Sequence, residues 1–71
     1  MITINRDVMR QARRNKHLTW QAVSDLTLIP VGTLLKWRDS NYDISNRPAI
    51  DIIRLSDALG VSWEELVVCD D

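Results

Sequence analysis

Residues that start helices recur along this chain at Asn5, Thr19, Pro30, Pro48 and Ser62, each just ahead of a segment with helical apolar spacing. Asn, Thr and Ser at such positions accept one of the backbone N–H groups that an opening helix leaves unpaired, and proline is tolerated in a first turn because its missing N–H has no partner there. Three of the starts carry a second signal, an apolar residue before the cap matched to one at the fourth helical position: Ile4 with Met9, Leu18 with Val23, and Val61 with Leu66. Gly60 ends the segment AIDIIRLSDAL, and Ser62 with Glu65 three residues on forms a capping box. The chain is thereby cut into five short helices, the first running from Asn5 to about Lys16. No segment alternates with period two and no Asn-Gly or Asp-Gly pair marks a hairpin, so strands are not expected. The expectation is an all-α single domain over residues 1–71 with one long connection, SNYDISNR, from Ser40 to Arg47.

At 71 residues such a domain holds one small core. Cys69 is the only cysteine and His17 the only histidine, which excludes an internal disulfide, leaves too few soft ligands for zinc and favours a reducing compartment. The start MITINRDV lacks the basic-then-apolar pattern of a leader, and no apolar run approaches the roughly 20 residues of a membrane span. These features imply a cytoplasmic protein with no membrane partner, cofactor or metal. Charge is divided unevenly. Up to Arg38, seven basic residues face only Asp7 and Asp25, whereas from Asp39 onward eight acidic residues face only Arg47 and Arg54. A chain polarised in this way suits a charged partner for one half.

The segment LTWQAVSDLTLIPVGTLLKWRDS, followed by LGVSWEEL, resembles without a gap in its first block the helix-turn-helix of the phage Cro and repressor (XRE) class. The resemblance runs from Arg10 to Leu66, with the helix-turn-helix unit at about 19–39. It implies a lambda-repressor-like domain of five helices, encoded by a phage or other mobile element, whose third helix enters the major groove of a double-stranded operator. Four positions depart from the family pattern. Trp20 stands where the second helix usually opens with Gln, Leu28 where the turn usually has Gly, and Pro30 where Ser or Thr precedes the third helix. Arg13 keeps a family position whose usual partner is a Glu at the end of the third helix, yet Arg38 occupies that place, and two like charges do not pair. Arg13 is then expected to face solvent or another acid, with Asp39 and Asp57 as candidates.

By helical spacing, Pro30, Thr33, Leu34 and Trp37 share the core side of the third helix, while Val31, Gly32, Leu35 and Lys36 share the other. The resemblance places partner contact on Val31, Gly32, Thr33, Leu35 and Lys36, and of the outward residues only Lys36 offers hydrogen bonds to a base edge. Two readings remain open. Lys36 reads a base while Val31 or Leu35 packs on thymine methyls, or Val31 and Leu35 form an exposed apolar patch that grips a partner repressor, as an antirepressor would. Gly32 costs about 1 kcal/mol against Ala inside a helix, and close approach by a partner would account for it.

Candidate contacts to the DNA backbone are Trp20, Gln21, Arg38, Asn41, Tyr42 and Arg47. On the first helix, Arg6, Arg10, Arg13, Arg14 and His17 fall within about a third of the circumference, a stripe that either meets an anionic partner or is a solvated face. The family's habit of dimerising through its fourth and fifth helices points to Ile52, Trp63, Val67 and Val68 as homodimer contacts. The chain offers no glycine-rich phosphate loop and no nucleophile–base set, so neither catalysis nor a small-molecule substrate is expected.

Overall fold

A computed structural model describes residues 1–69. The elements follow in the order β1 (Ile2–Ile4), α1 (Arg6–Asn15), α2 (Trp20–Thr27), α3 (Val31–Asp39), α4 (Ala49–Leu59), α5 (Trp63–Leu66) and β2 (Val67–Cys69). The start signals act as read. Asn5 accepts from the Val8 N–H, Thr19 from that of Ala22 and Ser62 from that of Glu65. Pro30 and Pro48 cap α3 and α4 without a side-chain bond, and Gly60 closes α4 in the left-handed conformation at φ 69°. A Cβ on Gly60 would meet only the movable end of the Lys16 side chain, so it is the backbone angle that requires glycine. The Ser62–Glu65 box closes differently from the usual form: the Glu65 carboxylate accepts from Ser62 Oγ at 3.2 Å.

The structure is not purely helical. α5 makes a single turn, and the β-branched pair Val67–Val68 then extends into a strand antiparallel to β1, with Ile2 opposite Cys69, Thr3 opposite Val68 and Ile4 opposite Val67. Each strand has only three residues, too few to show period-two alternation, and both sides of β1 are covered, so Thr3 and Ile4 are buried together. Pairing with a partner more than sixty positions away creates these strands, a tertiary effect that overrides local signal. A corollary is that Val67 and Val68 belong to β2, where the family resemblance had placed them on the fifth helix.

One core unites the elements. Met9 and Ala12 from α1, Val23 from α2, Leu34 and Trp37 from α3, Leu55 and Leu59 from α4, and Leu66 from α5 are buried with Ile4, Ile29 and Ile44. Trp37, 1% exposed, is the largest fully buried side chain and fixes the rotation of α3 about its axis. Truncating such an aromatic costs about 3–5 kcal/mol, a large part of the stability of a domain this small.

Candidate functional site

Two hydroxyl clasps, at part-buried Ser24 and buried Thr27, tie the end of α2 to the turn that leads into α3. Ser24 Oγ donates to the Ile29 carbonyl at 2.6 Å, and Thr27 Oγ1 donates to Val23 at 2.7 Å while accepting the Ile29 N–H at 3.3 Å. The turn's polar groups are thus paired inside the protein, where an orphan would cost about 1–3 kcal/mol. Between these clasps Leu28 adopts the left-handed conformation, φ 62°, and holds its side chain 73% exposed; Leu26, two residues earlier, is 59% exposed. Leu28 stood out in the sequence as a departure from glycine, whereas Ser24 and Thr27 did not, because a hydroxyl's bond to a turn backbone leaves no mark in the apolar pattern.

With Leu34 and Trp37 inward, α3 presents Gly32 and Lys36 to solvent, and Thr33 stays half-buried. Val31 and Leu35 are also half-buried, so they do not form the exposed apolar patch expected of them; flanking structure covers part of each. Gly32 has no atom within 4 Å of the place its Cβ would take. Packing inside the protein therefore does not demand glycine there.

Lys36 opens onto a cleft of about 430 Å³ between α3 and the 40–48 connection, whose other wall includes Tyr42, Asp43, Asn46 and Arg47. Tyr42 is half-exposed, with its ring 6.0 Å from Lys36 Nζ. Arg47, expected as a backbone contact, is held by three groups of the protein itself. Its guanidinium lies 5.5 Å from the Trp37 ring centre, reaches Thr33 Oγ1 at 3.4 Å and pairs with Asp51 at 3.6 Å. It therefore latches the connection to α3 and α4. Asp43 accepts from both the hydroxyl and the backbone N–H of Ser45, which hold its carboxyl below the usual range and keep a negative charge in the cleft. Of the expected contacts, Thr33, Lys36, Tyr42 and Arg47 converge here, whereas Asn41 lies in a separate cleft beside Arg6 and Arg10.

At the other end of α3 the missing acid has an unforeseen substitute. Arg13 reaches neither Asp39 nor Asp57: its guanidinium packs 4.9 Å from the Trp20 ring centre, and Nη1 donates to the Leu18 carbonyl at 2.8 Å. Arg38 also lies against Trp20, at 5.9 Å, while its Nε and Nη2 grip Asp39 at 2.6 and 2.9 Å. That pair raises the Arg38 pKa and lowers that of Asp39, whose carboxyl also feels Arg10 and Arg6. Trp20 is thus half-buried between helices and serves packing. Gln21, exposed, donates to Asp25 at 3.1 Å.

The basic stripe on α1 is broken up. Arg10 pairs with Asp7 at 2.6 Å, Arg13 turns inward, and His17 leaves the helix at φ 54°. Among the expected dimer contacts, Ile52, Trp63 and Val67 line one apolar groove of about 360 Å³ together with Ile2, Ile44 and Ile53. Val68 faces the opposite side of the sheet, toward the cleft that holds Asn41. No group of acidic, His and Cys residues suited to a metal ion occurs among the described residues, and no described helix is long and apolar enough to cross a membrane.

Comparisons with protein-family models, curated proteins and solved structures gave no match.

Proposed function

We propose that this chain is a small DNA-binding transcriptional regulator of the helix-turn-helix class, with α3 as the helix that enters the major groove of an operator. The observation that carries the reading is the cleft at α3: Lys36 is exposed on the helix's outer side, and Tyr42 and Asn46 stand across from it on a connection latched by Arg47. A cation on the helix with hydroxyl and amide groups at its flank suits a duplex, where base edges specify and phosphates position. Lys36 is the base-reading residue, with Gly32 and the half-buried Val31 and Leu35 allowing close approach. The family resemblance from Arg10 to Leu66 supports the same assignment. Asp43 opposes phosphate within this cleft and confines the backbone contact to the Lys36–Tyr42 side.

A second reading keeps the fold and exchanges the partner. Leu28, fixed in a left-handed turn and 73% exposed, with Leu26 at 59%, puts apolar surface directly before α3, as an antirepressor-like module that occupies a repressor protein would need.

Fluorescence anisotropy with duplex DNA flanking the gene tests the first reading. Binding is expected at micromolar protein and about 50 mM salt, weakening steeply as salt rises because neutralised phosphates release counterions. Lys36→Ala should relax preference at one base pair by about 1–3 kcal/mol. Absence of any duplex binding under these conditions sinks it. Loss of a repressor complex on Leu28→Ser, with Lys36→Ala silent, would establish the second reading instead.

A further inference from the structure

The cleft that holds Asn41 collects hydrogen-bond donors for which the protein supplies few acceptors. Thr3 and Val68 are directly opposed on β1 and β2, so their side chains share the face of the sheet that forms its floor. Thr3 is only 9% exposed, yet its hydroxyl makes no hydrogen bond among the described residues. Buried polar groups are nearly always paired, and one that lines a cleft without a protein partner marks a place where a ligand can supply the acceptor. Arg6 repeats the pattern with a charge. It is half-buried, and its guanidinium has neither a hydrogen bond nor an ion pair among the described residues. Asp39, whose charge reaches it, is already gripped by Arg38.

The other walls add donors of the same kind. The Asn41 side-chain amide has no bonded partner among the described residues, and Asn5 accepts the Val8 N–H through Oδ1, which leaves its Nδ2 to donate. Arg10, one turn after Arg6, gives Nη2 to Asp7 at 2.6 Å and keeps its remaining N–H groups. That bond occupies Asp7, the one acid lining the cleft among the described residues. Val68, 41% exposed, and Met1, 60% exposed, contribute apolar surface. The volume, about 450 Å³, is that of a small-molecule pocket.

We infer that this cleft binds a phosphate ester, with Arg6 as the charged anchor and Thr3 and Asn41 as neutral donors. A phosphate presents several acceptor oxygens in a tetrahedral array, which suits donors arriving from a strand, a helix and a connection; a carboxylate offers two in one plane. A guanidinium fork matches phosphate oxygens in pairs, and the organic part of the ester rests on Val68 and Met1. The ester is either a free small molecule or a phosphate of a nucleic-acid strand, and the chemistry of recognition is the same. Asn41 adjoins Tyr42 of the α3 cleft, so a strand held here would lengthen the footprint proposed above. The inference needs no contact at Lys36 and stands whether α3 meets DNA or protein.

An NMR titration of the isotopically labelled full chain with phenyl phosphate, and separately with inorganic phosphate, reads the site at the Thr3 amide, Arg6 Nε and Asn41 Nδ2. Saturable shifts are expected by about 20 mM ligand, with phenyl phosphate the tighter of the two. Arg6→Gln should weaken phenyl phosphate about tenfold, and Thr3→Val, which keeps the branched shape and removes the hydroxyl, about threefold or more. A nucleic-acid source adds a second reading: Arg6→Gln should then lower the slope of log affinity against log salt for duplex DNA by about 1. An unchanged slope with weakened phenyl phosphate assigns the site to a free ester. The inference is overturned if neither phosphate shifts these groups and the slope is unchanged. It is equally overturned if the shifts persist in both variants or if chloride at matched ionic strength reproduces them. A wild-type chain that binds phenyl phosphate but no duplex would sink the reading of α3 and leave this site standing.

Discussion

The Arg13 guanidinium rests 4.9 Å from the centre of the Trp20 ring, and its Nη1 is fixed by the Leu18 carbonyl at 2.8 Å. The contact joins α1 to the opening of α2 without any acidic partner. Arg13 Nε is buried and unbonded, and the ring's negative face offers the half-buried cation a second favourable contact beside the Leu18 carbonyl. Trp20→Leu keeps apolar volume and removes the π-face. A double-mutant cycle of Trp20→Leu with Arg13→Met, read by urea unfolding, should give a coupling of about 1 kcal/mol. Additive effects would show that the ring only fills space.

Leu28 sits at φ 62° with its side chain in solvent, so the fold gains little from the leucine and bears the left-handed strain, about 1–2 kcal/mol for a non-glycine residue. Leu28→Gly should therefore raise stability, by roughly 0.5–1 kcal/mol once glycine's extra freedom in the unfolded chain is subtracted. The same substitution removes the apolar surface before α3. A variant that melts higher yet loses its partner would assign Leu28 to binding.

Gly32 is exposed in the first turn of α3 with room around it. Gly32→Ala should stabilise by about 0.5–1 kcal/mol through helix propensity alone. If a partner approaches this point, its affinity should fall in the same variant even as the thermal midpoint rises. Stabilisation with full affinity would leave the glycine with no role in contact.

Asp43 has its pKa lowered by the Ser45 hydroxyl and backbone, and Asp39 has its pKa lowered by Arg38. A carboxyl depressed in the folded state contributes stability above its unfolded value of about 4, and that contribution is lost as pH falls through the lower folded value. Stability should therefore drop on acidification below about pH 4. Asp43→Asn should flatten part of this decline, as thermal melts between pH 2 and 6 would record on a scale set by that unfolded value. An unchanged profile would mean that the Ser45 contacts do not persist in solution.

What the sequence by itself determined is local. Caps and stops depend on a side chain and a backbone N–H within three or four positions, so Asn5, Thr19, Gly60 and Ser62 mark helix ends wherever the helices go. Helical periodicity likewise turned Leu34 and Trp37 inward and left Lys36 outside, because a 3.6-residue repeat fixes which side chains share a face. Tertiary structure decided every feature whose partner is distant in the chain. The pairing of Ile2 with Cys69 makes two strands from segments too short to signal themselves. The docking of Trp20 draws Arg13 out of the basic stripe, and Thr33, Trp37 and Asp51 together convert Arg47 from a free cation into a latch. Val31 and Leu35 lose much of their exposure for the same reason: helical phase states which way a side chain points, while its burial depends on what the rest of the chain brings against it.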